Sequence, residues 1–168
     1  GYKQKVAYSY MLGKIGDNLK SATGAILILL FVGALAGTWL ISGIIPAMIY
    51  YGLKIINPSI FLPSCIFISA IVSISTGSSW STSATIGIAM IGIGKALGID
   101  PAIVAGAVIS GSYFGDKLSP LSDTTNLAAA MSESNLFDHI KYMLYTTLPS
   151  IILTIIFFFI LGFNLDIS

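Results

Sequence analysis

Arginine is absent from this chain, and charge of either sign is scarce. Eight lysines stand against seven acidic residues, and charged side chains make up 9% of the 168 residues, where a soluble domain carries about 25%. That balance excludes a basic nucleic-acid face, so no nucleic acid is expected as a partner. With one cysteine, Cys65, neither an internal disulfide framework nor a cysteine-based metal cluster can form. Ligand sets of His and Cys, nucleophile elbows and phosphate loops are missing too, so neither an enzyme nor a cofactor is expected. The chain opens Gly1-Tyr2-Lys3 without Met, and no short apolar core with a cleavage site follows. It is expected to be a piece of a longer protein.

What remains is apolar. Hydrophobic residues are 55% of the chain, and the mean hydropathy is +0.91. No charged residue occurs between Lys20 and Lys54, between Lys54 and Lys95, or between Lys141 and Asp166, runs of 33, 40 and 24 residues. A bilayer core of about 30 Å needs about 20 apolar residues in helical form. Each run can span, and no polar stripe at helical spacing interrupts them. The expected fold is all-α: a polytopic, multi-pass protein of the cell (plasma) membrane, with lipid as its surroundings.

Along the chain, residues 1–20 hold Lys3, Lys5, Lys14 and Lys20 against Asp17, and read as an amphipathic approach on the cytoplasmic face. Residues 21–53 read as a kinked span, with Gly37, Gly43 and Pro46 near the kink and Tyr50, Tyr51 and Lys54 closing it. Block 58–95 is too long for one straight crossing. Nine of the thirteen residues from Ser73 to Thr85 carry hydroxyls, which points to a broken helix or re-entrant hairpin with Thr76-Gly77-Ser78-Ser79 at its tip. The alternative is that these hydroxyls bond back to helix carbonyls and break nothing. Residues 100–131 read as half-helix, polar break and half-helix: Asp100-Pro101 is a helix start, Gly111 and Gly115 allow tight packing, and Pro120 interrupts. Residues 134–142 read as an interfacial helix with a solvated His139, and 144–163 as a plain span with Phe157-Phe158-Phe159 facing lipid or neighbours.

Ionisable groups inside these runs carry the functional information. Asp116, Lys117 and Asp123 fall at the polar break, although an intramembrane charge costs at least about 2.5–3.5 kcal/mol unless it pairs or lines a pathway. Around Asp123 stand Ser122, Thr124, Thr125 and Asn126, short oxygen-bearing side chains able to share a desolvated Na⁺. Lys117 beside Asp116 offers that carboxylate a cationic neighbour, whereas Asp123 has neutral donors only. Asp123 is therefore expected to be the principal Na⁺ and proton carboxylate, with Asp116 supporting it. Ser78 and Ser79 are expected near the cation path, and Gly77, Lys117 and Pro120 in support. Set against this, Asp123 could only cap a helix, and Asp116-Lys117 could only end one. Secondary transporters place cation sites at such broken helices, and a site holding Na⁺ or H⁺ but not both is enough for exchange.

Gly77-Ser78-Ser79-Trp80, the run from Ser110-Gly111-Ser112 through Asp116-Lys117-Leu118-Ser119-Pro120-Leu121-Ser122-Asp123-Thr124-Thr125-Asn126 to Ala128, Gly37-Thr38-Trp39 with Ser42-Gly43 and Pro46, and Leu144-Tyr145-Thr146-Thr147-Leu148-Pro149 resemble the NhaC-type Na⁺/H⁺ antiporter family. The resemblance implies a two-repeat transporter of the broad ion-transporter group, of which this chain is most of the first half. It implies Na⁺ and H⁺ as partners, together with the remaining half of the transporter. A homodimer stays open. Some relatives resemble carriers that exchange malate and lactate with coupling cations, so a cation-coupled organic-acid exchanger is the alternative; with no Arg to clamp a carboxylate, bare cation exchange is favoured. A membrane anchor or assembly subunit without transport is the reading of another class.

Overall fold

Glycine and helix-capping side chains decide where the helices of this chain stop. A computed structural model describes residues 7–164, the side chains at several positions between 18 and 32 excepted. Helix α1, Tyr8–Ile41, runs unbroken through most of the stretch expected as a separate surface approach and into the span beyond it. Nothing near Lys20 stops a helix; residues 1–6, with Lys3 and Lys5, lie outside the described residues. Gly43 then adopts a left-handed φ of 84°, and α2, Ile44–Ile55, leaves at 73° to the end of α1. Pro46 sits in the first turn of α2, where a missing N–H is no loss. The kink therefore belongs to Gly43.

Asn57 caps a 3-10 turn, Pro58–Ile60, that feeds α3, Phe61–Thr76. Gly77, at φ 72°, ends α3, and Ser78 caps α4, Ser79–Ala96, by accepting the Ser81 N–H at 3.2 Å. Asp100 starts α5, Pro101–Leu118, by accepting the Ala102 N–H at 2.7 Å, with Pro101 in the first helical position. Ser122 caps α6, Asp123–Met131. Asn135 caps α7, Leu136–Phe163, a single helix in place of an interfacial helix followed by a span. Between Leu136 and Leu148 there is no Gly or Pro to break it, and Pro149 is accommodated inside.

Contacts fix the directions. Gly94, near the end of α4, lies against the Phe61 ring at the start of α3, so these helices form an antiparallel hairpin. Gly87 faces Val108 and Gly94 faces Val104, so α5 also runs antiparallel to α4. Hence α3 and α5 are parallel neighbours. Their seam is built from small residues: Gly111 abuts the Ile66 carbonyl and Gly115 the Ala70 carbonyl, too close for any Cβ. Lipid tails are as apolar as leucine, so close backbone approach, not exclusion from water, holds such helices together. Phe61, Leu62, Cys65, Ile66, Ile93, Val104 and Val108 complete the interior of this three-helix group. Helix α7 lies along its side, with Phe158 against Gly106 and Gly162 near Ser59. It buries Ile151, Phe158 and Gly162 and leaves Phe157 and Phe159 exposed, so the phenylalanine triplet is divided between interior and outside.

The protein is all-helical among the described residues, with Pro58–Thr76 and Leu136–Phe163 each long and apolar enough to cross a membrane and the bent α1–α2 pair a third candidate. The hairpin puts Asn57 and Lys95 at the same end of α3 and α4. Cysteines placed singly at these positions in the full-length protein should react with an impermeant maleimide from the same side of the membrane, and Cys65 of this chain is buried. Labelling from opposite sides would break the hairpin.

Candidate cation site at two apposed helix breaks

Backbone that leaves a helix among apolar segments must find its partners in the protein. Here one break serves the other. Gly77, between α3 and α4, faces the backbone of Leu121, between α5 and α6; a Cβ on Gly77 would lie 2.6 Å from the Leu121 carbonyl carbon. Ser119, fully buried, donates its hydroxyl to the Ile74 carbonyl at 2.7 Å and accepts the Leu121 N–H at 3.2 Å. One turn before Gly77, Ser73 donates to the Ser112 carbonyl at 2.6 Å. Four helix ends thus meet: the C-termini of α3 and α5 and the N-termini of α4 and α6.

Asp116 lies inside this junction. It is 8% exposed, and its Oδ2 accepts the Ser79 hydroxyl at 3.0 Å. Its Oδ1 is buried with no hydrogen-bond partner. The other buried side-chain oxygens without a partner among the described residues are Ser69 Oγ and Ser112 Oγ, and Ser112 is one turn before Asp116 on α5. Thr125 closes the junction from α6, its hydroxyl shared between the Asp116 and Lys117 carbonyls at 3.2 and 3.3 Å. One carboxylate, several hydroxyls and helix-end carbonyls make a set of hard oxygen donors for a monovalent cation. No group of three or more His, Cys, Asp or Glu gathers among the described residues.

Of the residues expected at the site, Asp116, Ser79, Ser122, Thr125 and Gly77 come together, and Ser78 joins them as the α4 cap. Asp123 does not. It is exposed at the first position of α6, where its Oδ1 accepts the Thr124 N–H at 2.8 Å, and Ser122 does the capping. Thr124 and Asn126 are exposed; the Asn126 amide ties the loop by donating to the Pro120 and Ser122 carbonyls at 2.8 and 2.7 Å. Pro120 is exposed at the bend. Lys117 is a sequence neighbour of Asp116 but not a spatial one, because adjacent helical residues do not face each other. Its side chain lines a cavity of about 280 Å³ between α5 and α7, with Ser110, Tyr113, Thr147 and Ser150, and makes no ion pair with Asp116. Ser69, Ser73, Ser112 and Ser119 were not singled out by the sequence reasoning. Their signal was there in the four-residue spacing of Ser69 to Ser73 and of Ser112 to Asp116, one face on each helix.

Residues 111–168, from the tight seam through the second break to the end of the chain, match the Na⁺/H⁺ antiporter family. The chain is 48% identical over 171 residues to a malate-2H⁺/Na⁺-lactate antiporter of Bacillus subtilis, covering 98% of this chain and 36% of that protein. It is 49% identical over 158 residues to the Na⁺/H⁺ antiporter NhaC of Alkalihalophilus pseudofirmus, covering 94% of this chain and 34% of that protein. This chain belongs to the Na⁺/H⁺ antiporter family. An uncharacterized Na⁺/H⁺ antiporter of Haemophilus influenzae is 47% identical over 167 residues, covering 99% of this chain and 36% of that relative. The chain thus spans about a third of the length of these family members. No solved structure matches it.

Ser119→Ala in the full-length protein should lower stability by about 1–3 kcal/mol, because the Ile74 carbonyl at the end of α3 loses its donor. Unfolding in detergent measures this, and a midpoint equal to wild type would mean that Ser119 does not hold the two breaks together.

Proposed function

We propose that this chain contributes the exchanging site of a secondary transporter in the cell membrane, trading Na⁺ for H⁺ at Asp116. The observation that carries this reading is the half-satisfied buried carboxylate: Oδ2 held by Ser79, Oδ1 without a partner. A bare buried negative charge is costly, so Asp116 is stable only when something positive occupies Oδ1. A dehydrated Na⁺ can do so electrostatically, and a proton can do so covalently. Each excludes the other, and that exclusion is the whole of the exchange logic at the site. Ser79 orients the carboxylate in both states, and Ser78, as the α4 cap, keeps Ser79 at the helix start. The remaining two thirds of the transporter would supply the other wall of the pathway.

Asp116 thus takes the principal role expected of Asp123. An exposed Asp123, bonded to its neighbour's N–H, has no need of a cation. Ser122, Thr125 and Gly77 support the junction and do not need to touch the ion.

A second reading, cation-coupled exchange of an organic acid, draws support from Lys117 and the hydroxyl-lined cavity on the far side of α5. It is also the activity named for the malate and lactate antiporter among the relatives. A non-transporting anchor would have no use for a buried carboxylate oxygen left open. In everted vesicles carrying the full-length protein, sodium should collapse an imposed proton gradient, Asp116→Asn should abolish that response, and Asp123→Asn should leave it near wild type. The reverse pattern would return the principal role to Asp123. Lactate- or malate-dependent exchange would favour the second reading, and no flux from a correctly inserted protein the anchor.

A further inference from the structure

Hydroxyls within helices ordinarily satisfy themselves by donating to the carbonyl one turn back. Ser75 donates to Ile71 O at 2.9 Å, Thr85 to Ser81 O at 2.6 Å, Ser110 to Gly106 O at 2.7 Å and Thr154 to Ser150 O at 2.9 Å. Ser69 and Ser112 do not. Both are 0% exposed, both lie within helices where the Cys65 and Val108 carbonyls stand one turn back, and neither hydroxyl has a partner.

Their placement links them to Asp116. The Ser73 hydroxyl touches the Ser112 carbonyl, which sets the relative height of α3 and α5. The two helices are parallel, and side chains on each lean toward its own N-terminus. One turn back from that contact, Ser69 on α3 and Ser112 on α5 therefore stand at the same level of the seam, with Asp116 one turn above Ser112. The buried oxygens without partners among the described residues, Ser69 Oγ, Ser112 Oγ and Asp116 Oδ1, fall along one short stretch of one interface. Gly111 and Gly115 bring the backbones there so close that no Cβ fits between them.

We propose that these oxygens are the ligands of one dehydrated alkali cation, with Asp116 Oδ1 supplying the charge and Ser112 Oγ, backed by Ser69 Oγ, replacing water and setting which ion fits. The inference rests on Asp116 as the exchanging carboxylate and adds the residues that select the ion. A hydroxyl oxygen offers two lone pairs, enough to ligate the ion without a counter-charge. Selectivity in such sites follows cavity size, ligand number and flexibility. A seam packed closely at Gly111 and Gly115 favours the smaller Na⁺ and Li⁺ over K⁺. When Asp116 is protonated instead, its new O–H finds an acceptor in the same hydroxyls, so the seam serves both occupants.

The test is thermal unfolding of the purified full-length protein, titrated with NaCl, LiCl or KCl against choline chloride. Wild type should be stabilised by Na⁺ and Li⁺ and not by K⁺. Ser112→Ala should require roughly tenfold more Na⁺ or higher for the same rise in Tm, as expected for loss of one polar contact to a charged group, and should lose the discrimination against K⁺. Ser69→Ala should shift the sodium midpoint in the same direction by less, and it reads the same seam should Ser112→Ala not fold. Ser75→Ala, on the exposed face of α3 with its hydroxyl bonded to the Ile71 carbonyl, should match wild type. Wild-type sodium midpoints in both Ser112→Ala and Ser69→Ala, with the response lost in Asp116→Asn, would overturn the inference and spare Asp116. A sodium response intact in Asp116→Asn would overturn both.

Discussion

Everything distinctive in this chain follows from one demand: a helix that stops among apolar surroundings must have its freed backbone groups met by protein. Two interruptions are placed face to face, so that a serine from one meets a carbonyl of the other. Ser119 binds the Ile74 carbonyl, and Gly77 gives up its side chain so that Leu121 can come close. Neither break is affordable alone. Together they make a polar junction inside a helical bundle, and the carboxylate of Asp116 is buried in it.

The close seam between α3 and α5 sets how the two helices face each other at this junction. With Gly111 and Gly115 packed on backbone, a rotation of either helix would drive Cα atoms into carbonyls. Phase along these helices is therefore set by packing and passes directly to the side chains further along. Asp116 is inward because Gly111, Ser112 and Gly115 are inward, all on one face of α5. Lys117 is outward for the same reason.

That dependence explains what was legible in the sequence and what was not. Charge-free runs between lysines announced apolar helices, and Gly77 among serines announced the first break at the right residue. Asp100-Pro101 marked the start of α5, and Pro120 with Ser122 marked the second break. Sequence adjacency misled at Asp116, because its neighbour Lys117 points elsewhere, and at Asp123, because flanking oxygens in sequence need not surround a residue in space. Burial is a matter of helical phase, and phase can be read only once the partner helix is known. The unity of α7 was hidden by a polar beginning, Asp138 to Lys141, on a helix that nothing interrupts until it has crossed into apolar residues.

The meeting of four helix ends has an electrical consequence. Each terminus carries about half an elementary charge, positive at the starts of α4 and α6 and negative at the ends of α3 and α5. Two of each sign at one junction nearly cancel, leaving Asp116 as its buried charge. With a sodium ion or a proton at Asp116, as proposed, the junction would be neutral as a whole. Membrane voltage does about 2.3 kcal/mol of work per elementary charge moved through 100 mV, but it has no handle on a pocket whose two loaded forms carry the same zero charge. On the proposed reading, a one-for-one swap at this junction would be driven by concentration gradients alone.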